Sequence, residues 1–436
     1  MEQINGKGGM KIVSFPYGEK YVDLEISKEA DVLMPELVTG VPDELEEIRR
    51  ALSQPTGSVR LNMLARGKIS VAIVINDITR PSPTEIMLTA ILEELAAAGV
   101  SEEQVTVLIA NGNHELATGE ELKKMLGIWN SRLKIINHDC KDESSLMYLG
   151  STGRGLPVYV NRHYMEASLR ILTGVITPHQ SAGFGGGRKS VVPGIAGMQT
   201  IKKLHSFPIR PDGPVLGIIK GNRFHEEVVT AARMAGADFI VNVIKNYSGE
   251  IVEAVAGELD MAHLHGVAVC EKSWVRKVGK AYDVVFVSAG RYPKDVDLHQ
   301  SQKGLVVAEQ VTRPGGTIVL IAECRNGTGK FGKVLREAES VEEVIQDFLA
   351  TGSSEDNKGK AYLFARCCQK HKVFVVTEGI DRKEIEEMFM TGFTSISEAA
   401  NSALAQYSNP SVLCIPYAAE CIPVLEVKSA CGRVKK

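Results

Sequence analysis

Three short polar segments of the chain contain side chains that could perform acid–base chemistry on a small anion. The segment DITRPSP contains Asp77 and Arg80, and the segment GNHELATGEEL contains His114. The segment PHQSAGFGGGRKSVVPG contains His179 and, ten residues later, Lys189. Histidine exchanges protons near neutral pH, and arginine binds a carboxylate through two parallel hydrogen bonds. These residue types predict an acid–base site with cationic groups that anchor a negatively charged small molecule.

A fourth polar segment, GRYPKDVDLHQSQKGL, adds His299, Gln300 and Lys303. Their i, i+1 and i+4 spacing places them on one face of a helix. A polar helix face or a single loop histidine is by itself typical of solvated surface. The four segments together favour a site, because each directly follows an apolar, β-branched run.

These apolar runs alternate with amphipathic segments along the chain. They lie at 69–76, 105–111, 133–139, 170–177, 237–246, 282–289, 316–324, 372–379 and 411–418. The alternation predicts the α/β class, with two Rossmann-like domains that have largely parallel sheets. Ligands of such sheets bind beyond the carboxyl ends of the strands, so we expect the active site in the cleft between the domains.

The chain has 436 residues, which is enough for two domains. A charged stretch near 270–281 separates a long helical passage from the strand predicted at 282–289. We therefore expect an N-terminal α/β domain over 1–275, which carries the glycine-rich loop. A C-terminal α/β domain over 276–400 would close the cleft, and the segment 401–436 would pack back on the N-terminal domain.

Local signals predict several elements around the site. The start of the chain predicts a hairpin at 11–27. Ser82 with Glu85 predicts a capping box for a helix over 82–99, and Thr118 with Glu121 predicts another for a helix over 118–126.

Composition excludes several classes of partner. The net charge is −3 and basic residues are scattered, so we expect no binding to nucleic acid. No apolar run reaches the roughly 18 residues that span a bilayer, and the first residues lack a secretory signal. The sequence therefore predicts a cytoplasmic protein with no membrane association. The eight cysteines lack the spacing of a structural zinc site.

The loop GFGGGRKS ends like a nucleotide-binding loop but differs from it at a decisive position. The phosphate-binding pattern requires glycine directly before the lysine, and Arg188 occupies that place. Five residues, 178–182, also separate the loop from the strand predicted at 170–177. A triphosphate is therefore disfavoured as the partner of Lys189.

Five segments, taken in order, resemble a known family. They are DITRPSP, GNHELATGEEL, PHQSAGFGGGRKSVVPG, LHSF and YPKDVDLHQSQKGL. With the spacing from His179 through Lys189 to His205, they resemble the nickel-dependent lactate racemase family from about residue 12 to residue 420. The resemblance implies an isomerase, a racemase or epimerase of a small 2-hydroxy acid.

The resemblance also implies a cofactor. In that family it is a nickel-pincer nucleotide, a pyridinium-3-thioamide-5-thiocarboxylic acid mononucleotide that holds Ni(II) through sulfur, carbon and sulfur. By resemblance, Lys189 carries this cofactor covalently, His205 supplies the fourth nickel ligand, and Asp77 orders its loop or contacts the cofactor. Three glycines would let the backbone approach the ring and its phosphate: Gly185, Gly186 and Gly187.

The implied reaction is proton-coupled hydride transfer. By resemblance, His114 and His179 act as acid and base on opposite sides of the substrate. Arg80 and Lys303 would hold the substrate carboxylate, with Gln300 beside it. The family often has tyrosine at the position of His299, so we expect His299 to contact the substrate and to alter which 2-hydroxy acid is accepted.

Partners and alternatives follow from the same resemblance. The expected partners are a small-molecule 2-hydroxy acid and the maturation enzymes that make the cofactor; association into a homo-oligomer is left open. One alternative is a non-catalytic protein that binds nickel or a nucleotide cofactor. The other, less favoured by Arg188, is a phosphoryl-transfer enzyme.

Overall fold

The computed structural model describes residues 9–80, 82–206, 216–351 and 356–426. The strands there are β1 (Met10–Tyr17), β2 (Lys20–Ser27), β3 (Asp31–Val32), β4 (Val71–Asn76), β5 (Val105–Ala110), β6 (Lys134–Asn137), β7 (Leu146–Ser151), β8 (Pro157–Asn161), β9 (Leu169–Ile176), β10 (Pro178–His179), β11 (Gly183–Phe184), β12 (Phe239–Lys245), β13 (Ile251–Gly257), β14 (Val275–Val278), β15 (Tyr282–Val287), β16 (Thr312–Ile321), β17 (Lys372–Val376), β18 (Thr391–Phe393), β19 (Val412–Ile415) and β20 (Ile422–Leu425).

The α-helices of the described residues follow in chain order. They are α1 (Glu44–Ser53), α2 (Leu61–Ala65), α3 (Thr84–Ala97), α4 (Gly119–Leu126), α5 (Arg162–Glu166), α6 (Met198–Leu204), α7 (Arg223–Ala235), α8 (Leu259–Trp274), α9 (Leu298–Glu309), α10 (Phe331–Glu337), α11 (Val341–Thr351), α12 (Asp356–Lys370), α13 (Arg382–Glu386) and α14 (Ile396–Leu404). None of them is long and apolar enough to cross a membrane.

The chain forms two compact units. The central unit is Leu37–Ser273, and the terminal unit joins the residues up to Glu36 with those from Trp274 onwards. This division differs from the predicted domains at the N-terminal end, because the residues up to Glu36 were expected in the N-terminal domain. The short strand β3 explains the difference, since it pairs in parallel with β19 near the other end of the chain.

The central unit contains a six-stranded sheet in the order β13-β12-β9-β4-β5-β6. Its strands are parallel except for the antiparallel edge pair β12 and β13. The chain moves outward from β4 through β5 to β6 and then returns to the other side of β4 with β9. The boundary between β4 and β9 is therefore a topological switch point, where the carboxyl ends of a sheet leave a crevice.

Both faces of this sheet are covered by apolar side chains, which explains the continuous apolar runs in the sequence. In β4, Ile73 belongs to one buried core and Val74 to the core on the opposite face. The core with Ile73 also includes Ile91 of α3, and the core with Val74 includes Val228 of α7. The largely parallel α/β architecture predicted from the sequence is confirmed.

Helix starts agree with the sequence signals at one predicted capping box and not at the other. Thr118 and Glu121 form the predicted box at the start of α4. The predicted box of Ser82 and Glu85 is wrong, because α3 begins after Pro83 without a side-chain cap. Glu85 instead accepts a hydrogen bond from the backbone N–H of Ile128 at 3.3 Å. Pro81, in the same turn, lies outside the described residues.

The terminal unit contains a second six-stranded sheet in the order β18-β17-β16-β15-β19-β3. All its pairs are parallel, and its switch point lies between β15 and β19. The segment 401–436 contributes β19 to this sheet, where it pairs with β15, and its described residues therefore belong to the terminal unit. Its packing on the N-terminal domain stays a prediction, and residues 427–436 lie outside the described part. The hairpin predicted at 11–27 is present as β1 and β2.

Candidate active site

The sequence-predicted residues of the central unit lie at its switch point. Asp77 directly follows β4. His179 lies in the short hairpin of β10 and β11, which follows β9. His114 follows the neighbouring strand β5. The fold therefore brings together three segments that are separated by up to about a hundred residues in the sequence.

Asp77 and His114 form a hydrogen-bonded pair. The two atoms Nδ1 of His114 and Oδ2 of Asp77 are 2.5 Å apart. Asp77 is almost fully buried, whereas 40% of the His114 side chain is exposed. The hydroxyl of Thr79 also donates to both carboxylate oxygens of Asp77, at 3.0 and 2.9 Å. The turn that follows β4 thus holds the Asp77 carboxylate in position for its contact with His114.

This pair defines which ring nitrogen of His114 carries the proton. A carboxylate accepts hydrogen bonds, so Nδ1 of His114 is the donor. In the neutral ring Nε2 then carries the lone pair. The loop is fixed at its start by the buried Asn111, whose side-chain amide donates to the carbonyl of His138 at 3.2 Å. His114 is therefore arranged to accept a proton at Nε2.

His179 has the opposite arrangement. Its Nδ1 accepts two backbone N–H groups, those of Ser181 and Ala182, each at 3.1 Å. In the neutral ring the proton is therefore on Nε2. Burial lowers the pKa of His179 well below its ordinary value, and the positive charges of Lys189 and Arg80 add to this effect. His179 is thus a neutral histidine that presents an N–H group.

Lys189 is half-buried in the turn that follows the glycines. Burial lowers the pKa of its amine well below the ordinary value, and the charges of Arg80 and Arg188 lower it further. A neutral lysine amine is a nucleophile and can attach a carbonyl-type group covalently. Arg80 itself is exposed, and its backbone N–H closes a turn onto the carbonyl of Asp77 at 3.2 Å.

The three glycines are required for packing of the loop against the protein. A Cβ on Gly185 would lie 3.0 Å from the carbonyl oxygen of Val175, and one on Gly186 would lie 2.3 Å from Asn242 Oδ1. A Cβ on Gly187 would approach His263 at 3.3 Å. These contacts explain why the loop needs glycine here, and the ligand approach expected from the sequence stays a prediction.

The loop also lacks the long helix that a phosphate-binding loop precedes. Gly187–Ser190 is a single 3-10 turn. Gly186, which precedes it, and Gly187 have φ angles of +76° and +51°. The backbone N–H of Gly187 donates to Asn242 Oδ1 at 2.7 Å and is therefore committed to the protein. This geometry disfavours the phosphoryl-transfer alternative.

His205 is the residue that directly follows α6. Its Nδ1 donates to the carbonyl of Ile201, one turn earlier, at 2.9 Å. A backbone carbonyl on one ring nitrogen is the arrangement by which proteins orient metal-ligating histidines, because it leaves the lone pair on the other nitrogen. The charge of His205 also contributes to the lowered pKa of His179.

The residues predicted in the terminal unit lie on α9, after β15. Lys303 Nζ donates to Gln300 Oε1 at 3.1 Å, so these two form a pair on one helix face. The ring of His299 lies 6.1 Å from that of Phe331, centroid to centroid. Asp297 caps the helix by accepting the backbone N–H of Gln300 at 2.6 Å.

Family models match both parts of the chain. The lactate racemase N-terminal domain matches residues 17–214, and the lactate racemase C-terminal domain matches residues 278–422. The chain belongs to the lactate racemase family. Its members in this comparison are isomerases, and the chain is accordingly an isomerase of the racemase type.

Two named relatives align over most of this lactate racemase family member. The lactate racemase of Thermoanaerobacterium thermosaccharolyticum is 33% identical over 92% of this chain and 96% of its own length. The lactate racemase of Lactiplantibacillus plantarum is 32% identical over 91% of this chain and 96% of its own length.

Solved structures agree with the fold. The lactate racemase apoprotein from Thermoanaerobacterium thermosaccharolyticum superposes with a TM-score of 0.87 at 30% identity, covering 94% of this chain and 99% of that one. A Thermotoga maritima protein reaches a TM-score of 0.62 at 19% identity over 90% of this chain and 100% of its own, and it shows a likeness of fold alone.

The residues of this family member suit the implied cofactor in two respects. Burial lowers the pKa of the Lys189 amine, a change towards its nucleophilic form, and Nδ1 of His205 donates to a backbone carbonyl, which leaves Nε2 available to a metal. No group of three or more histidine, cysteine, aspartate or glutamate side chains that could hold a metal occurs among the described residues. A nickel ion at His205 would therefore need donors from the cofactor itself.

Sequence reasoning missed two features of the sites. Arg188 was noted only because it breaks a nucleotide-binding pattern, yet it is fully buried under the loop. In the terminal unit, Lys294 pairs with Glu420, which follows β19 at the switch point. Burial lowers the pKa of Lys294 to about 8, with a contribution from the charge of Lys303. Lys294 and Glu420 lie far apart in sequence, as do Arg188 and the histidines that contact it, so spacing could not reveal these contacts.

Proposed function

We propose that this racemase inverts a small 2-hydroxy acid by proton-coupled hydride transfer, using a nickel-pincer nucleotide attached to Lys189. One observation carries the proposal. At a single switch point the chain places an aspartate-paired histidine, a second histidine and a lysine whose pKa is lowered by burial. The named lactate racemases that align with the chain support the substrate class.

Lys189 and His205 would hold the cofactor. The Lys189 amine would form the covalent link, and Nε2 of His205 would add one imidazole donor to the nickel, a ligand type that suits Ni(II). When bound, the cofactor supplies reversible hydride transfer at the α-carbon, through which a 2-hydroxy acid becomes a planar 2-keto acid that can regain either configuration.

His114 is the group that moves the substrate's hydroxyl proton. Its Nε2 carries the lone pair, and Asp77 stabilises the imidazolium that forms when Nε2 takes the proton. Because 40% of the His114 side chain is exposed, a substrate can reach the ring. The same nitrogen can return the proton once the configuration has changed.

His179 acts differently in this proposal. A neutral ring with its proton on Nε2 can donate a hydrogen bond to the substrate oxygen and polarise it. It cannot release that proton without becoming an imidazolate, since Nδ1 is occupied by two backbone donors. The contacts therefore favour one proton carrier, His114, with His179 as an electrophilic partner, over two equivalent bases.

Arg80 is the anchor for the substrate carboxylate in the central unit. It is exposed, and its charge acts on both His179 and Lys189, so it lies close to the reacting groups. Substrate binding by Lys303, Gln300 and His299 stays a prediction from the sequence. Their place on one face of α9 agrees with a shared role.

The test combines attachment with turnover. Protein matured in the presence of nickel and the cofactor-making enzymes is incubated with each pure enantiomer of several 2-hydroxy acids, and the products are separated by chiral chromatography. We expect conversion in both directions and a nucleotide adduct that maps to Lys189. The matched control is Lys189→Met, which keeps a side chain of similar length without a charge and cannot form the link. Matured protein that converts no 2-hydroxy acid would favour the cofactor-binding alternative.

A further inference from the structure

Arg188, the residue before Lys189, makes an unusual set of contacts inside the protein. It is the largest fully buried side chain among the described residues. One terminal nitrogen, Nη1, donates to the carbonyls of Gly185 at 3.0 Å and Gly186 at 3.2 Å. The other, Nη2, donates to the carbonyls of Ala182 at 3.1 Å and Phe184 at 2.9 Å. Four carbonyls of one loop thus converge on a single guanidinium.

Two histidines complete the shell of Arg188. Nδ1 of His225, on α7, accepts a hydrogen bond from Nη2 at 3.0 Å. Nε2 of His263, on α8, lies 2.5 Å from Nη1 and 2.8 Å from the carbonyl oxygen of Gly185. Guanidinium nitrogens only donate, so Nδ1 of His225 is an acceptor and carries no proton. Nε2 of His263 contacts both a guanidinium donor and a carbonyl acceptor, so either tautomer of His263 has a partner there. Burial lowers the pKa of His225 to about 4, with Arg188 adding to the effect, which agrees with a neutral ring.

The charge of Arg188 is not matched by an acid. Among the described residues, the ion pairs of the chain do not include Arg188, and its guanidinium contacts are carbonyls and imidazoles. An unpaired buried cation is costly, so packing alone would favour an apolar side chain at this position. The loop keeps the cation, and the residue that follows it is the cofactor lysine of the proposed function.

We propose that Arg188, held by His225 and His263, is the positioning residue that fixes the glycine loop and sets where the Lys189 amine lies. The guanidinium donates hydrogen bonds to the loop carbonyls from the buried side of the loop. After Lys189 the chain is held by Ser190, whose hydroxyl donates to the carbonyl of Thr173 at 2.8 Å. Arg188 also places a like charge beside the amine, which supports the neutral form of Lys189.

This inference rests on the proposed function only for the role of Lys189, and its test uses the apoprotein. Two quantities are measured: hydrogen–deuterium exchange in peptides that cover 178–194, and trace acetylation of Lys189 by acetic anhydride across roughly pH 6 to 10. The pH at the midpoint of acetylation reports the basicity of the Lys189 amine inside the protein. The charged groups that act on this amine are Arg80 and Arg188, and the titratable His179 lies close to it.

Matched variants separate the contacts from the charge. Arg188→Met removes both; we expect faster exchange in the loop and an acetylation midpoint raised by about one pH unit, because a like charge is lost. Arg188→Lys keeps a positive charge but loses the two terminal guanidinium nitrogens that contact the loop carbonyls. We therefore expect faster exchange in the loop and a smaller change in the acetylation midpoint than in Arg188→Met.

The histidine variants test the shell with Arg188 in place. His225→Leu removes an acceptor, whereas His225→Asn keeps an oxygen near the position of Nδ1. We expect faster loop exchange in the leucine variant and recovery of the parent rate in the asparagine variant. His263→Leu and His263→Gln form the same comparison at Nε2.

The outcomes are decisive even if Arg188→Met fails to fold, since the histidine pairs leave the arginine intact. Parent-like loop exchange and an unchanged Lys189 midpoint in the leucine variants would overturn the inference. Because no cofactor or substrate is present, a failure of the proposed racemisation leaves these results unaffected. Equally, loss of the Arg188 effect would leave racemisation by the parent protein untouched.

Discussion

The loop that bears His114 and the hairpin that bears His179 lie at the same edge of one sheet, yet they hold their imidazoles in opposite ways. The His114 ring is partly exposed and donates through Nδ1 to a buried carboxylate. The His179 ring is half-buried and accepts two backbone N–H groups at the same atom. One ring presents a lone pair at Nε2 and the other presents a proton there.

The difference teaches that the surroundings of a histidine decide its role. In sequence the two residues look equivalent, each in a polar loop after a parallel strand. A carboxylate partner stabilises the protonated ring, whereas backbone donors, burial and nearby cations disfavour it. A reaction that inverts a stereocentre can use such a pair as one proton carrier and one hydrogen-bond donor.

The largest effect is expected from replacing the two histidines by glutamine. Glutamine can donate a hydrogen bond but cannot act as a base at neutral pH, so His114→Gln should lower racemisation by about 10² to 10⁴. His179→Gln keeps an N–H near the position of Nε2 and should lose far less. Chiral chromatography of matured variants measures both. Equal losses in the two variants would restore the assignment of two equivalent bases.

A smaller effect is expected from Asp77→Asn. The amide can donate to Nδ1 of His114, which moves the ring proton to Nε2 and removes the acceptor. We expect racemisation to fall by about 10²-fold with little change in KM. Thr79→Val serves as the control, because it removes only a hydroxyl that donates to the carboxylate. Parent-like turnover in the Asp77→Asn variant would show that the pair does not set the tautomer.

The effect of pH on stability should be smaller still and specific to His179. Its pKa is lowered in the folded protein, so the neutral ring contributes stability that is fully present above the unfolded pKa of about 6.5 and is lost as pH falls. Below that unfolded pKa, each pH unit removes at most about 1.4 kcal/mol until the lowered folded-state pKa is reached, so pH 7 is compared with about pH 5. Urea unfolding of the apoprotein and of His179→Gln between these pH values measures this loss. A difference between the two proteins that stays constant with pH would contradict the lowered pKa.

Sequence patterns predicted nine of the twelve strands in the two six-stranded sheets, together with the polar residues at one edge of the central sheet, because the period of apolar residues and turn chemistry are local signals. They did not predict that Asp77 pairs with His114, since that contact joins the ends of two neighbouring strands. Nor did they predict the place of β3, whose two residues carry too little pattern, or the shell of Arg188, whose partners lie on α7 and α8.

Local spacing also left out a second explanation for the glycines, their packing against the protein. A glycine-rich loop before a lysine is typical of ligand approach, but here the missing side chains make room for Val175, Asn242 and His263. The predicted cytoplasmic location, the maturation partners and the oligomeric state stay predictions, as does the cleft between the two domains.

The most direct test of the central claim, opposite tautomers at His114 and His179, is nitrogen-15 NMR of the apoprotein labelled at its histidine rings. Loss of signals in His114→Gln and His179→Gln assigns the two residues. Near neutral pH we predict a protonated Nδ1 and an unprotonated Nε2 for His114, and the reverse pattern for His179. The same tautomer at both positions, or a proton on Nδ1 of His179, would contradict the account.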